Sequence, residues 1–434
     1  MKFAVIGAGW AGCAAAVELA RRGAQVTLIE AARTPGGRAR RVEHQGYPLD
    51  NGQHILLGAY HDTLRMMHTV GITPSQSLLR LPLQMRYPAG TEGMQFVAGR
   101  LPAPWHLLYA VLTSKGLSIS DKLSLARFSS AARWMGWRLD VDCSVAELLE
   151  RFEQTERLIK LMWRPLCISA LNTPPERASA KVFLKTLGDS LGASKNASDM
   201  LIPTRDLSAL FPDAASSYIE KHGGKVHLGV HVRALTHSNH QWQITGDGFD
   251  ECFDKIILAV PAYAAQTLIA PLNTALSESL NFDYEPITTC YLKYNASVRL
   301  SAPFFALKEH TSSGQWGQFV FDRGQLHPAQ SGLLAVVISA STDAISLGQS
   351  ALVQAISLQL IGALQRTELA RPEWSWLVTE KRATFACTPN LRRPTNETPL
   401  KHLWLAGDYT AGDYPATIEG AVRSGLLAAS LAMQ

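Results

Sequence analysis

The first thirty residues place a glycine-rich loop between two apolar runs. Residues 3–6 form a short apolar run that leads directly into Gly7-Ala8-Gly9-Trp10-Ala11-Gly12. An alanine-rich segment that suits a helix covers residues 13–22, and a second apolar run, residues 25–29, ends at Glu30. This order is typical of a dinucleotide-binding βαβ unit, in which a strand is followed by G-x-G-x-x-G, a helix, a second strand and an acidic residue. The pattern predicts an α/β domain with a parallel sheet at the start of the chain.

Each part of this loop has a physical role. Gly7 permits the tight turn, Gly9 lets a pyrophosphate approach the backbone, and Gly12 lets helix and strand pack closely. The helix N-terminus offers unpaired N–H groups and a partial positive charge to phosphates. Glu30 can accept hydrogen bonds from a ribose 2′-hydroxyl, and its charge disfavours a 2′-phosphate. The predicted cofactor contacts here are Gly7, Gly9, Trp10, Ala11, Gly12 and Glu30.

Size and composition exclude several other classes of protein. The 434 residues suggest two or three domains at ~150 residues each, and 47% apolar with 18% charged residues is a globular composition. A net charge of +5 gives no reason to expect a nucleic-acid partner. No apolar run approaches the ~18–20 residues needed to span a bilayer. The six cysteines have no metal-binding spacing. We expect a cytoplasmic protein, soluble or peripheral, without a metal.

A second glycine motif follows Glu30 within ten residues. Gly36-Gly37-Arg38 resembles the G-G-R motif of the superfamily of amine-oxidase and phytoene-desaturase flavoproteins. In that superfamily, backbone N–H groups and the arginine add contacts near the pyrophosphate and the flavin. The resemblance implies FAD as the cofactor, with Gly37 and Arg38 among its contacts. Cys387 lacks the context of a covalent flavin attachment, so we expect the FAD to be non-covalent.

The C-terminal region carries a matching motif. An apolar run ends in Gly407-Asp408 and resembles the A-G-D motif of the same superfamily. The resemblance implies that Asp408 accepts a hydrogen bond from a ribityl hydroxyl of FAD. Apolar and small residues then recur at helical spacing to the end of the chain and predict a closing helix. Its N-terminus, at Thr417 and Ile418, would point at the flavin ring.

The middle of the chain contains apolar runs that we interpret as strands returning to the first domain. They are residues 223–228, 230–235 and 256–260. In the family, the segment that matches Val232 and its two predecessors flanks the adenine. The resemblance implies a Rossmann-like FAD-binding domain of the amine-oxidase (GR2) type. We assign residues 1–75, 198–262 and 380–434 to it, and residues 76–197 and 263–379 to a discontinuous α+β substrate and membrane-contact domain.

Further segments narrow the resemblance to one branch. Residues 50–60 are similar to the G-x-H-x-x-x-G-A-Y stretch of phytoene and ζ-carotene desaturases. Residues 163–173 and 415–421 resemble the bacterial hydroxysqualene dehydroxylases of squalene and hopanoid biosynthesis. That branch implies loss of an allylic hydroxyl from a C30 isoprenoid and hydride delivery from N5 of reduced FAD. The alternatives are a polyene desaturase and a non-catalytic FAD-binding partner of isoprenoid synthases. With no second G-x-G-x-x-G unit, we expect an external electron donor.

This chemistry needs an acid to protonate the departing oxygen. Gly52, Gln53 and His54 lie in a motif that is near the flavin in relatives. The ordinary pKa of histidine suits proton donation near neutral pH, so His54 is the first candidate. Its alternative role is a hydrogen bond to backbone or flavin without proton transfer. The further candidates for the acid are Tyr60, Asp413 and Glu419.

Residues 101–138 hold most of the net positive charge. The segment contains one acidic residue, Asp121, and five basic residues: Lys115, Lys122, Arg127, Arg133 and Arg138. Aromatic residues are interleaved with the basic ones. Basic residues alternating with aromatic ones are typical of elements that lie at a membrane surface. We expect a peripheral contact with the inner face of the cytoplasmic membrane. The alternative is a helical lid whose basic face is solvated.

Overall fold

The first apolar run lies at the centre of a five-stranded parallel sheet. In a computed structural model that describes residues 1–434, strand Lys2–Ile6 pairs with Gln25–Glu30 on one side and Lys255–Leu258 on the other. Strands Lys225–Leu228 and Leu403–Leu405 form the two edges. All these pairings are parallel, and the central strands are buried on both faces, as expected for α/β proteins. The predicted Rossmann-like sheet is confirmed.

Helices cover one face of this sheet. Helix Trp10–Arg21, buried almost along its whole length, packs between helices Pro212–Lys221 and Ile418–Ala432. Gly425 permits the closest approach, since a Cβ there would lie 2.1 Å from the carbonyl oxygen of Ala11. The C-terminal helix is therefore an integral part of the nucleotide-binding lobe.

A small antiparallel sheet covers the opposite face. Its strands are Val232–Ser238, Gln241–Gly246 and Phe249–Phe253. Helix Ala262–Ile269 packs into the same core through Ala265 and Ile269. The predicted strand at residues 230–235 thus exists but begins at Val232 and pairs outside the parallel sheet.

The second lobe is built on a five-stranded antiparallel sheet. The strand order is Phe304–Ala306, Phe319–Asp322, Leu333–Ser339, Tyr284–Lys293 and Trp374–Phe385. Helix Gln349–Leu364 packs on one face. The other face contributes residues to the large cavity described below.

A helical layer completes the second lobe. Two of its helices begin at capping boxes, formed by Ser118 with Asp121 and by Ser144 with Glu147. The main helices are Trp105–Thr113, Ile119–Trp134, Val145–Arg151, Arg164–Leu171 and Ala180–Leu187. Phe128, Trp163 and Phe183 lie at their common core. No helix of the structure combines the length and apolarity needed to cross a bilayer.

Short elements connect these layers. The remaining strands are Arg41–His44, Tyr47–Asp50, Leu56–Leu57, Leu78–Leu81, Gln84–Arg86, Gln95–Val97 and Met200–Pro203. The remaining α-helices are His61–Thr69, Pro74–Ser77, Glu156–Leu158, Lys195–Ser198, Leu207–Leu210, Thr274–Glu278, Arg323–Leu326 and Thr342–Ser346. π-helical turns cover Ile159–Trp163 and Gly188–Gly192. Short 3₁₀ turns cover Thr311–Ser313, Pro328–Gln330 and Thr367–Ala370.

Strand pairing and helix packing place two of the domain boundaries at other residues than those assigned from the sequence. Strand Trp374–Phe385 pairs along its length with Tyr284–Lys293, so the second lobe extends beyond residue 379. Helix Ala262–Ile269 packs on the first lobe, which therefore extends beyond residue 262. Both boundaries assigned from the sequence therefore fall inside an element.

Candidate cofactor and substrate site

A cavity of about 1490 Å³ is lined by residues of both lobes. It runs from the glycine loop of the first lobe to the helices Trp105–Thr113 and Ile119–Trp134 of the second. Pockets for one small molecule usually measure ~300–1,000 Å³. The cavity therefore has room for a dinucleotide and a second, elongated ligand.

The glycine loop forms one end of this cavity. A Cβ on Gly12 would lie 1.8 Å from the carbonyl oxygen of Gly7, and Gly7 itself has a φ of +102°. A Cβ on Gly9 would meet nothing closer than the Cα of Gly37, at 3.9 Å. Helix Trp10–Arg21 starts here without a side-chain cap, so its first N–H groups are available to an anion. Gly12 shapes the fold, whereas Gly9 opens onto the cavity.

Glu30 closes the loop from the second strand. Its carboxylate accepts the backbone N–H groups of Ala8, at 2.6 Å, and Ala32, at 2.8 Å. The N–H of Val230 donates to the carbonyl oxygen of Glu30 at 2.9 Å. This bond brings the following residues, including Val232, to the same end of the cavity. Glu30 and Val232 therefore lie together, as an adenosine site at this end requires.

The two terminal motifs meet at an ion pair. The guanidinium of Arg38 donates to the carboxylate of Asp408 at 2.5 Å and to the carbonyl oxygen of Ala383 at 2.7 Å. Burial lowers the pKa of Arg38, but the Asp408 carboxylate more than offsets this, and the pKa of Arg38 lies above its usual value. Arg38 is thus permanently charged. Gly37 and Gly407 also line the cavity beside this pair.

A buried network supports the segment Gly52–Gln53–His54. The Gln53 amide donates to the hydroxyl of Tyr291 at 2.9 Å and accepts from Arg323 at 2.9 Å. Arg323 also lies 3.5 Å from the carboxylate of Asp50. Burial raises the pKa of Asp50 to about 6, because desolvation outweighs the attraction of Arg323. The network fixes the position of Gln53 at the cavity wall.

His54 lines the cavity but is poorly prepared to donate a proton. Its Nδ1 lies 3.2 Å from the carbonyl oxygen of Gly52. A carbonyl can only accept, so Nδ1 carries the hydrogen and Nε2 of the neutral ring is an acceptor. Burial and, to a smaller extent, the charge of Arg38 hold the pKa of His54 below its usual value. This geometry disfavours the predicted acid role.

Tyr60 also lines the cavity, and its hydroxyl stays protonated. Burial, together with the charge of Glu419, raises the pKa of Tyr60 well above its usual value. Thr417 caps the C-terminal helix by accepting the N–H of Gly420 at 3.0 Å. Thr417 and Ile418, at the start of that helix, line the same cavity.

The two remaining acid candidates do not line the cavity. The fully buried carboxylate of Glu419 accepts hydrogen bonds from the N–H and the hydroxyl of Thr63, and it pairs with Arg423 at 2.8 Å. Asp413 is exposed and lies 3.8 Å from Lys185. Neither is among the residues that line the cavity, so the structure gives no support to the expectation that either protonates a substrate.

Glu380 and Tyr409 are cavity residues that the sequence analysis missed. Glu380 accepts from the Asn51 amide at 3.1 Å, and no local motif marks it. Tyr409 follows the Gly407-Asp408 motif directly, and its buried hydroxyl has no partner within the protein. That hydroxyl, the open cradle at Gly9 and the Arg38 pair all fit a bound FAD.

Cys387 lies outside this site. It is buried in the core of the second lobe and is not among the cavity residues. Burial raises the pKa of its thiol to about 12, so it is a packed thiol without nucleophilic character.

The fold and the site define a flavoprotein oxidoreductase with a nucleotide-binding lobe and a substrate lobe. The family model "Flavin containing amine oxidoreductase" matches residues 10–433. The chain is 30% identical to the hydroxysqualene dehydroxylase of Rhodopseudomonas palustris, over 99% of this chain and 97% of that protein. It is 23% identical to the ζ-carotene desaturase of Arabidopsis thaliana, over 99% and 85% of the two chains.

Solved structures share the same fold. Wild-type putrescine oxidase bound to putrescine matches with a TM-score of 0.73 and 16% identity, over 100% of this chain and 99% of that chain. The chain belongs to the flavin-containing amine oxidoreductase family, in the branch of the hydroxysqualene dehydroxylases. It is an FAD-dependent oxidoreductase.

Proposed function

We propose that the enzyme removes the allylic hydroxyl of hydroxysqualene and delivers a hydride in its place, which yields squalene. The observation that carries this proposal is the match to hydroxysqualene dehydroxylases over nearly the whole of both chains. A polyene desaturase is the alternative, with the more distant similarity to ζ-carotene desaturases in its favour.

The distal part of the cavity suits a long hydrocarbon. Apolar side chains of the helical layer and of the antiparallel sheet line it, among them Met85, Phe96, Val111, Phe128, Met162 and Phe319. Burying apolar surface stabilises a complex by roughly 25 cal/mol per Å². The same walls exclude water, which would otherwise recapture an allylic cation. The cavity therefore supplies both binding and protection.

Two side chains can bind the departing hydroxyl. When bound, reduced FAD supplies the hydride. Tyr60 lines the cavity and is our proposed proton donor to the leaving oxygen, because a departing hydroxide is more basic than the tyrosinate that remains. His54, with Nε2 as an acceptor, is proposed to orient the substrate hydroxyl. Arg38 and Glu380 also line the cavity.

The test of these roles uses Tyr60→Phe, His54→Gln and His54→Ala, each checked for full FAD occupancy. We expect Tyr60→Phe to lower kcat about 100-fold, within the range for removal of a general acid. We expect the His54 variants to raise KM more than they lower kcat. If Tyr60→Phe turns over at the wild-type rate and His54→Gln does not, the two roles are assigned the wrong way round.

The reaction itself is tested anaerobically. Purified protein is reduced with dithionite, which replaces the external electron donor, and is then mixed with hydroxysqualene. Return of the visible absorbance of oxidised flavin, with squalene formed in equal amount, supports the dehydroxylase. Bleaching of oxidised protein by a polyene supports the desaturase instead. No response to either substrate indicates the non-catalytic binding role.

We also propose that residues 101–138 contact a membrane surface. Trp105, Leu112 and Trp134 are 58%, 66% and 90% exposed, although they are large and apolar. Trp105 and Trp134 also line the cavity, so the exposed patch and the substrate cavity share residues. A substrate dissolved in lipid would then reach the cavity without crossing water. The basic side chains of the segment favour the anionic inner face of the cytoplasmic membrane.

Flotation with liposomes tests this contact. We expect Leu112→Ser/Trp134→Ser to lose most of the lipid-bound fraction. The matched control is Leu347→Ser/Leu358→Ser, which removes two exposed apolar side chains elsewhere on the surface. A charge-reversed variant at positions 115, 122, 127 and 133 should lose binding to anionic liposomes. Equal flotation of all variants would refute the contact.

A further inference from the structure

A second cavity lies beside helix Trp105–Thr113, and its walls are strongly basic. Its volume is about 1340 Å³. One carboxylate, that of Asp199, lines it and is paired with Arg80 at 2.9 Å. The basic side chains that line it are Arg80, Arg86, Arg100, Lys115 and Lys195. The cavity is therefore a concentrated positive region in a chain whose total charge is only +5.

Most of these cations have no partner within the protein. Arg80 forms the only ion pair of the group, and the other four make none with a carboxylate. The Nε of Arg86 is enclosed by the protein and has no hydrogen-bond acceptor. An enclosed donor of a charged group is costly when it is left unsatisfied. Two arginines and two lysines that face one cavity without carboxylate partners fit an anionic ligand, and phosphate suits the arginine fork especially well.

Helix Trp105–Thr113 forms a shared wall between the two cavities. Leu107, Leu108 and Val111 line the substrate cavity, whereas Tyr109 and Thr113 line the basic one. Two lining residues of the basic cavity are also large, apolar and half exposed: Leu101 at 50% and Tyr109 at 49%. A ligand here would meet cations inside the cavity and apolar surface at its outer edge. An amphiphile with a phosphate group has both properties.

We propose that this basic cavity binds the phosphate group of an anionic membrane lipid, with the acyl chains against Leu101 and Tyr109. The proposal rests on the membrane contact inferred above and is independent of the reaction catalysed. The bound headgroup would fix the orientation of helix Trp105–Thr113, and with it the wall of the substrate cavity, at the bilayer surface.

The test measures binding of the full-length FAD-loaded protein to vesicles of phosphatidylcholine alone and of phosphatidylcholine mixed with phosphatidylglycerol. The variant is Arg86→Gln/Lys195→Gln. The matched control, Arg127→Gln/Arg138→Gln, removes the same charge from the contact segment outside the basic cavity. We expect the wild type and the control to prefer the anionic vesicles at least about tenfold, and the variant to lose that preference. All three should bind pure phosphatidylcholine equally.

The outcomes separate this proposal from the membrane contact. If no protein binds either vesicle, both ideas fail. If the variant and the control lose the anionic preference to the same extent, generic surface charge explains it and the headgroup site is refuted. A further arm uses inorganic phosphate and pyrophosphate. If either raises the Tm of the wild type but not that of Arg86→Gln/Lys195→Gln, while vesicle binding of the two is equal, the cavity takes a soluble phosphate and the lipid assignment is wrong.

Discussion

Gly9 and Gly12 stand three residues apart and meet different surroundings. A Cβ on Gly12 would collide with the backbone of Gly7, whereas a Cβ on Gly9 points into the cavity. The fold itself requires glycine at position 12, because nothing larger than a hydrogen atom fits between the helix and the turn. At position 9 the protein leaves room for a side chain, and we propose that glycine is needed there so that the pyrophosphate of the cofactor can approach the backbone closely.

This difference predicts that two alanine variants, both impaired in FAD binding, differ in stability. Gly9→Ala should fold with a free energy of unfolding within about 1 kcal/mol of the wild-type apoprotein, since its φ of −70° suits any residue. It should lose most of its FAD. Gly12→Ala should lose both stability and FAD. Urea unfolding of the apoproteins and the ratio of flavin to protein absorbance are the measurements. A Gly9→Ala protein with full FAD occupancy would contradict the assignment.

Asp50 gives a second prediction at the residue scale. Its pKa is raised to about 6 in the folded protein, so the native state holds a proton that the unfolded chain has released. Stability contributed by this group therefore falls as pH rises from about 4 to about 6, and the loss is complete above that range. The wild type should lose roughly 1–3 kcal/mol relative to Asp50→Asn between these limits. Denaturant unfolding of both proteins across this range is the measurement, and a constant difference would show that folding does not shift the pKa of Asp50.

Most residues that the sequence motifs predict to bind the cofactor line one cavity, whereas other residues that line or support the same cavity lie in no motif. Gly9, Glu30 and Asp408 lie in motifs in which neighbouring residues carry the signal. Tyr291 and Arg323 support Gln53 from positions more than two hundred residues away, and no local pattern can indicate such contacts. Glu380 was missed for the same reason. The protonation preference of His54 depends on burial and on one carbonyl, neither of which a motif reveals.

At the scale of elements, the segment 101–138 was predicted as an interfacial element with a helical lid as the alternative. The structure resolves it into two helices, Trp105–Thr113 and Ile119–Trp134, which present apolar side chains both to solvent and to the cavity. The second helix is buried on one side through Leu125 and Phe128. One face of this helix therefore forms part of the protein core and another face is exposed. The sequence pattern alone does not show which residues belong to which face.

The start of that second helix carries a testable prediction. Ser118 accepts the N–H of Asp121, and the Asp121 carboxylate accepts the N–H of Ser118. Ser118→Ala should destabilise the helix by about 1 kcal/mol. Hydrogen exchange should show faster exchange within Ile119–Trp134. Ser144→Ala, in the capping box of Val145–Arg151, is the control and should leave Ile119–Trp134 unchanged. Protection equal to that of the wild type would show that packing alone sets the helix start.

At the scale of the whole molecule, the cofactor cavity gathers three distant parts of the chain. Its nucleotide end combines the first forty residues, the segment around Val232 and the last thirty residues. Any ligand bound there adds contacts between elements that already meet through the parallel sheet, the Arg38–Asp408 ion pair and helix packing. Stability of the enzyme should therefore depend strongly on the ligand.

We predict that Tm rises steadily with added FAD. A ligand that binds only the folded state adds about 2.7 kcal/mol at a free concentration of one hundred times Kd. Thermal unfolding of apoprotein titrated with FAD is the measurement, and Gly9→Ala, which should bind FAD weakly, is the control. A Tm independent of FAD in the wild type would mean that the folded and unfolded chains bind it equally.

The packing of helix Trp10–Arg21 against Ile418–Ala432 has a consequence for biosynthesis. The glycine loop is synthesised before the helix that covers it and before Asp408, which lies 370 residues after Arg38. Until that later segment has been made, the apolar face of the first helix lacks its final partner. We therefore expect stable FAD binding only after Ile418–Ala432 has been synthesised, and we expect the unfinished chain to be prone to aggregation until then.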